Sequence, residues 1–290
     1  MANIKDLKKK VKSTTSTHKI TLAMKLVSAA KLAKAQTKVV GARPYSTELN
    51  GLIKSVSALV EDYQHPFLQE SDDNNRALLL VLSADRGLCG GYNSQLGKEV
   101  LRYIKDHTEL DFQVLFIGKK VKELISKSCN AGKQFQFDKS EATLEEITQV
   151  GEELAELFSK GEYGRVYVAY NHFKSIISFI PTVEQLLPIS LDKSAKEEVL
   201  QQFPFDFKYD PSPKGVLDNL VPESYATSLF TAYLNAVAAE HGSRMSSMDS
   251  ATKNCEEAIQ TLTLKMNKLR QAAITTELIE VVSGAESLNG

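Results

Sequence analysis

The amino-acid sequence predicts an α/β chain: a long antiparallel coiled coil of its two terminal helices plus a central α/β domain. Three observations lead there. Apolar residues recur at helical spacing through roughly the first 60 positions. A seven-residue repeat runs near the C-terminus, and short apolar runs alternate with helical patterns between the two. On this reading the 290 residues divide into an N-terminal helix over 1–60, an α/β domain over 61–215 and a C-terminal helix over 216–290.

The first helix is expected over about Asn3 to Val60. No proline precedes Pro44, and Gly41 and Gly51 are the only glycines. Its apolar or small stripe reads Ile4, Leu7, Val11, then Leu22, Leu26, Ala29, Ala33, Gln36 and Val40, with Thr14 and His18 continuing it in polar form. Pro44 is expected to kink or interrupt the helix, because its ring removes a ladder donor.

The middle changes period. Ala77 to Leu82, Phe112 to Ile117 and Val166 to Tyr170 are compact apolar runs suited to buried strands. Helical patterns fall at Ser94 to Asp106, Lys119 to Lys127 and Thr143 to Ser159. Alternation of this kind predicts a parallel, Rossmann-like sheet. Ser175 to Ile189 is β-branched and apolar with Pro181 inside it, which marks an edge strand. Phe203 to Gly215 carries three prolines and reads as a linker.

The last helix, expected from about Pro222 to Ser283, has the cleaner pattern. Met245, Met248, Thr252, Cys255, Ile259, Leu262, Met266, Leu269, Ala273 and Thr276 follow one another by alternating threes and fours. That is the seam of a left-handed coiled coil. Uninterrupted, such a helix approaches ~90 Å. A narrow seam needs a partner, and a chain that returns through a central domain makes the two terminal helices antiparallel. Near the end, Ile274, Leu278, Ile279, Val281 and Val282 surround the helix on all sides. One partner helix cannot cover them all, so they read as an apolar tip for another protein or for this chain's own core.

Composition narrows the functional classes. The net charge is -1, with 42% hydrophobic and 24% charged residues, an ordinary globular balance. No apolar run is long enough to span a membrane. The N-terminus enters helical periodicity at once, without a signal core or transit peptide. Cys89, Cys129 and Cys255 are an odd, scattered set, neither a disulfide framework nor a metal site. The five histidines form no metal-spaced pair. The glutamates at 145, 146, 152, 153 and 156 read as a solvated helix face.

Two features remain. Ser83-Ala-Asp-Arg-Gly-Leu-Cys-Gly-Gly-Tyr-Asn93 lies between a strand and a helix, where α/β folds place ligands. It matches neither the P-loop nor the dinucleotide fingerprint, so a tight turn outweighs a nucleotide site, and Cys89 reads as buried and structural. The other feature is charge. Ten lysines and Arg43 stand against Asp6 in residues 1–43, giving +10. The ordinary reading is a solvated face. The sharper one is an acidic partner, met by Lys8, Lys9 and their neighbours; a protein is preferred over nucleic acid because arginine and aromatic residues are scarce. Three hypotheses follow: a coupling subunit without catalysis, an α/β enzyme using the 83–93 loop, and a coiled-coil nucleic-acid binder.

Four segments make the first concrete. Lys19-Ile-Thr-Leu-Ala-Met-Lys-Leu-Val-Ser-Ala-Ala-Lys31, the 83–93 loop, Arg244-Met-Ser-Ser-Met-Asp-Ser-Ala-Thr252, and Asn267 to Ala285 resemble signature stretches of F-type ATP synthase γ subunits. The likeness is strong at both ends and weak between Asp106 and Asp218. It implies a central-stalk rotor subunit with no catalytic site or cofactor of its own. Its coiled coil would enter a hexamer of α and β subunits, and its α/β domain would meet the ε subunit and the c-ring. The resemblance also implies coupling of ion flow to ATP synthesis and hydrolysis, and peripheral placement on the cytoplasmic face of a bacterial inner membrane. Met24 and the Arg270-Gln271 pair match positions near the β-subunit contact, and Thr275 lies beside them. His18 stands where many members carry glutamine. The cysteine-bearing insert of plant chloroplast members is missing, which favours a bacterial member.

Overall fold

The computed structural model describes residues 4–60, 63–69, 74–137, 141–189, 209 and 212–289. In chain order the elements are helix α1 (Ile4–Leu59), a 3₁₀ turn (Pro66–Leu68), strand β1 (Arg76–Leu82), α2 (Tyr92–Asp106), β2 (Asp111–Ile117), α3 (Lys120–Ile125) and β3 (Asn130–Phe135). There follow α4 (Leu144–Ser159), β4 (Arg165–Ser175), β5 (Ser178–Leu187) and α5 (Pro213–Asn289). Two compact units emerge, one of residues 1–28 with 245–290 and the other of residues 29–244. Both α1 and α5 run through the two units, so residues 29–59 and 213–244 belong to the unit that holds the sheet.

That sheet has five strands in the order β3-β2-β1-β4-β5, all parallel except the antiparallel β4–β5 pair. Alternate residues of β1 feed opposite faces. Leu78, Leu80 and Leu82 pack with Ile147, Val150 and Leu154 of α4 and with Leu229, Tyr225 and Tyr233 of α5. Ala77, Leu79 and Val81 pack with Leu96 and Val100 of α2 and Val121 and Ile125 of α3. A central parallel strand covered on both faces must be apolar throughout, which is why β1 reads as an unbroken run. Helix α4 begins with a full capping box between Thr143 and Glu146.

The four expected strands are present, and β5 is an edge strand with Pro181 inside it. The sequence reading passed over β3. Its residues Asn-Ala-Gly-Lys-Gln-Phe have no apolar run, because as the opposite edge it buries only Phe135 fully. Helix α1 runs through Pro44 without ending. Helix α5 starts earlier than Pro222: Ser212 accepts from the Gly215 amide at 3.1 Å, and Pro213 fills the first helical position, where its missing donor costs nothing. The expected linker over 203–215 lies outside the described residues up to there, except for Tyr209 and Ser212.

The stripe of α1 also needs correction. After His18 the non-exposed positions are Thr21, Met24, Lys25, Ser28, Ala29, Lys31, Leu32, Ala35, Gln36 and Val39, so Ala29 and Gln36 of the expected stripe stand. The fully buried ones are Thr21, Ser28, Leu32, Ala35 and Val39. Leu22, Leu26 and Val40 are exposed at 38%, 61% and 65%. Along α1 the positions Ile4, Leu7, Val11, Thr14, His18, Thr21, Lys25, Ser28, Leu32, Ala35 and Val39 alternate by three and four, as regularly as the repeat in α5. Of these Leu7, Thr21, Ser28, Leu32, Ala35 and Val39 are buried and the rest half-buried. The centre of this α1 series is polar and small, while Leu22, Leu26 and Val40 face outward, so a hydrophobic pattern alone does not reveal it.

Candidate partner-contact site

In the unit formed by residues 1–28 and 245–290, α1 and α5 meet along a polar middle layer. The hydroxyls of Thr21 and Thr252, both buried, lie 2.9 Å apart. His18 Nε2 lies 2.9 Å from Glu256 Oε1, and Lys25 Nζ 2.5 Å from Asp249 Oδ1. From His18 to Lys25 is seven residues forward, and from Glu256 to Asp249 seven back, so the helices are antiparallel in one register. Hydrogen bonds from Lys25 and then Lys253 hold the Asp249 carboxyl down at about 2. These contacts are solvent-facing and each contributes little.

The threonine pair is different. Thr21 also donates to the His18 carbonyl at 3.0 Å, and Thr252 reaches the Met248 carbonyl at 2.7 Å. Each hydroxyl has one proton, so one inter-helix bond and one backbone bond can form at a time. Thr21→Val or Thr252→Val should each cost about 1 kcal/mol, by removing the inter-helix hydrogen bond while the remaining hydroxyl keeps its backbone carbonyl. The double variant should cost less than the sum, with a coupling of about 1 kcal/mol in urea unfolding. Additive losses would show that the two hydroxyls do not sense each other.

Along α5, Met248 and Thr252 are buried. Met245, Cys255, Ile259, Leu262, Met266, Leu269 and Ala273 are half-buried, whereas Thr276 and the off-stripe Leu264 are exposed. The register continues to Ile4 beside about residue 270. Past that point α5 extends beyond the described start of α1. There Ile274 is 49% exposed, Leu278 and Ile279 60%, Val281 69% and Val282 62%.

The residues singled out for contact do not all come together. Met24 is half-buried next to Lys25, at the level of Asp249. Arg270, Gln271 and Thr275 are exposed more than twenty residues further along α5, roughly 30 Å away at helical rise. Lys8 and Lys9 are exposed, and the register sets them near Lys265 and Lys268. The basic end of the pair is thus shared by both helices, which a count along α1 alone misses. Asp249 and Glu256, which answer Lys25 and His18, also escaped sequence reading: each carboxylate looks like ordinary surface until the register is known.

The 83–93 loop is occupied by its own chain. Arg244 of α5 donates to the carbonyls of Arg86 at 3.1 Å and Gly87 at 3.3 Å, and Ser243 donates to that of Cys89 at 2.6 Å. The same guanidinium pairs with Glu240 at 2.7 Å. Burial pushes the Glu240 carboxyl up, against the pull of Arg244. Burial likewise pushes the Cys89 thiol up, which favours the protonated thiol over the thiolate. Leu88 takes φ 64° and is 62% exposed. The carbonyls of the turn are engaged in anchoring a helix.

Among the described residues no helix is long and apolar enough to cross a membrane. Comparison with known proteins gives consistent results. A sequence profile described as ATP synthase matches residues 3–288. The ATP synthase gamma chain of Geotalea uraniireducens is 40% identical over the whole of both chains. That of Bdellovibrio bacteriovorus is 37% identical, again over the whole of both. Among solved structures, a chain of the Euglena gracilis mitochondrial ATP synthase rotor superposes with a TM-score of 0.63 at 19% identity, covering 93% of this chain and 98% of that one. A chain of the Tetrahymena thermophila mitochondrial ATP synthase central stalk and c-ring gives 0.59 at 23%, covering 80% and 99%. With a profile match over nearly all its length and full-length relatives near 40% identity, the chain belongs to the ATP synthase gamma chain family.

Proposed function

We propose that this chain is the central-stalk rotor subunit of an F-type ATP synthase. It couples ion flow through the membrane sector to ATP synthesis and hydrolysis on the β subunits by rotation, and it has no catalytic site or cofactor of its own. The observation that carries the reading is the antiparallel helix pair that ends in an exposed apolar tip. A shaft needs contacts spread along its length, which a continuous seam supplies. It also needs a bearing surface for surrounding subunits, which the tip from Ile274 to Val282 offers. Its partners on this reading are the α and β subunits of the hexamer, the ε subunit and the c-ring. It sits peripherally at the cytoplasmic face of the bacterial inner membrane, without inserting and without binding nucleic acid. Met24, Arg270, Gln271, Thr275, Lys8 and Lys9 are the residues assigned to the β-subunit region.

Reconstitution tests it. Added to α and β subunits, the full chain should assemble and stimulate ATP hydrolysis. Failure to co-purify with either subunit would sink the proposal, and hydrolysis by the chain alone would favour the enzyme reading. Charge has its own test. Lys8, Lys9 and Lys10 changed together to glutamine should weaken assembly several-fold at low salt and little at physiological salt, because exposed charges are screened over about 8 Å there. A loss independent of salt would count against attraction to an acidic partner.

A further inference from the structure

A buried histidine ties together three segments of the unit that spans residues 29–244. Glu141 stands two residues before Thr143, the cap of α4. Its Oε1 receives Lys31 Nζ of α1 at 3.0 Å and lies 3.2 Å from His241 Nε2 of α5. The next amide, Ala142 N–H, donates to the Tyr233 hydroxyl of α5 at 2.6 Å. His241 is 6% exposed, and its Nδ1 is buried without a hydrogen-bond partner.

That arrangement fixes the tautomer. An ionised carboxylate only accepts, so Nε2 carries the proton and Nδ1 is a bare acceptor. A stranded acceptor is tolerable; a stranded N–H beside two cations is much less so. Protonation would create that N–H. Of the groups facing the ring, Glu141 favours the charged form, while Lys31 and Arg244 oppose it. Burial is the largest influence and holds the imidazole below its ordinary range. Glu240 is not among those groups, being paired with Arg244.

We propose that His241 is a proton-operated catch. Neutral, it holds Glu141 and the start of α4 against α1 and α5; charged, it leaves the interior and releases them. The sign follows from linkage. The open state takes the proton first, at about 6.5, so the stability His241 contributes is complete above that pH and is lost as pH falls through the lower value of the closed state. Burial works against the Glu141 carboxylate, but Lys31 and His241 keep it below its ordinary 4.5, so it adds a loss of the same sign only at lower pH.

Hydrogen exchange on the full chain reads this directly. After correction for intrinsic rates, protection of residues 141–147 should fall between about pH 7.5 and about pH 5.5, by up to roughly tenfold per unit below 6.5. His241→Gln keeps an amide donor for Glu141 at every pH, so its protection should stay flat. Parallel curves for the two proteins would overturn the proposal. Glu141→Gln removes the group that favours the charged ring, so its fall should extend to lower pH. A curve that matches wild type would overturn the proposal equally.

Discussion

Arg244→Leu is expected to destabilise the unit around the sheet by about 3 kcal/mol near neutral pH. The guanidinium satisfies Glu240 and the carbonyls of Arg86 and Gly87 together. Leucine fills similar space yet leaves a carboxylate and two carbonyls without a partner. Glu240 limits the damage by taking a proton, since burial already pushes it up. Its folded value rises further once Arg244 is gone. The penalty should therefore be smallest below about pH 4.5 and grow as pH rises toward that higher value. Urea unfolding of both proteins at several pH values measures it. A pH-independent loss would show that the carbonyls, not the carboxylate, are what Arg244 serves. Against a total of about 5–15 kcal/mol for a folded domain, the effect is large enough to change how much folded protein accumulates.

Leu262→Asp should have the largest effect on coupling. Leu262 is half-buried on the repeat of α5, between Ile259 and Met266. A carboxylate there keeps its charge only by turning to water, so the helices part locally at a cost of about 2 kcal/mol. If the pair is the shaft, a reconstituted complex should keep hydrolysing ATP while losing most ion pumping. Leu262→Met, of similar volume, should keep both. Unchanged melting and unchanged pumping in Leu262→Asp would remove Leu262 from the seam.

How much of this was legible depended on how each residue earns its burial. The strand at Leu78 to Leu82 is buried on both faces, so its composition alone announces it. The repeat in α5 could be read from Ile259, Leu262 and Met266 because large apolar residues hold those positions. Strand β3 could not, since hydrogen bonds to β2 make it a strand and its side chains are mostly polar. The centre of α1 misled for a related reason. Thr21 and Ser28 are buried by virtue of being small, and outward-facing Leu22 and Leu26 outweigh them in any hydrophobicity reading. Arg244 is a further case. Its partners are backbone carbonyls of a loop some 157 positions away, and no side-chain pattern records a carbonyl.

The far end of α5 bears on how the cell must handle this protein. Five large aliphatic side chains are 49–69% exposed over nine residues. Such a surface is harmless only while covered, and uncovered copies are expected to stick to one another or to be captured by chaperones and proteases. Synthesis of the chain must then keep pace with its assembly partners, and a surplus should be short-lived. The last turns of one helix would in this way act as a quality-control tag, hidden by correct assembly and displayed by its failure.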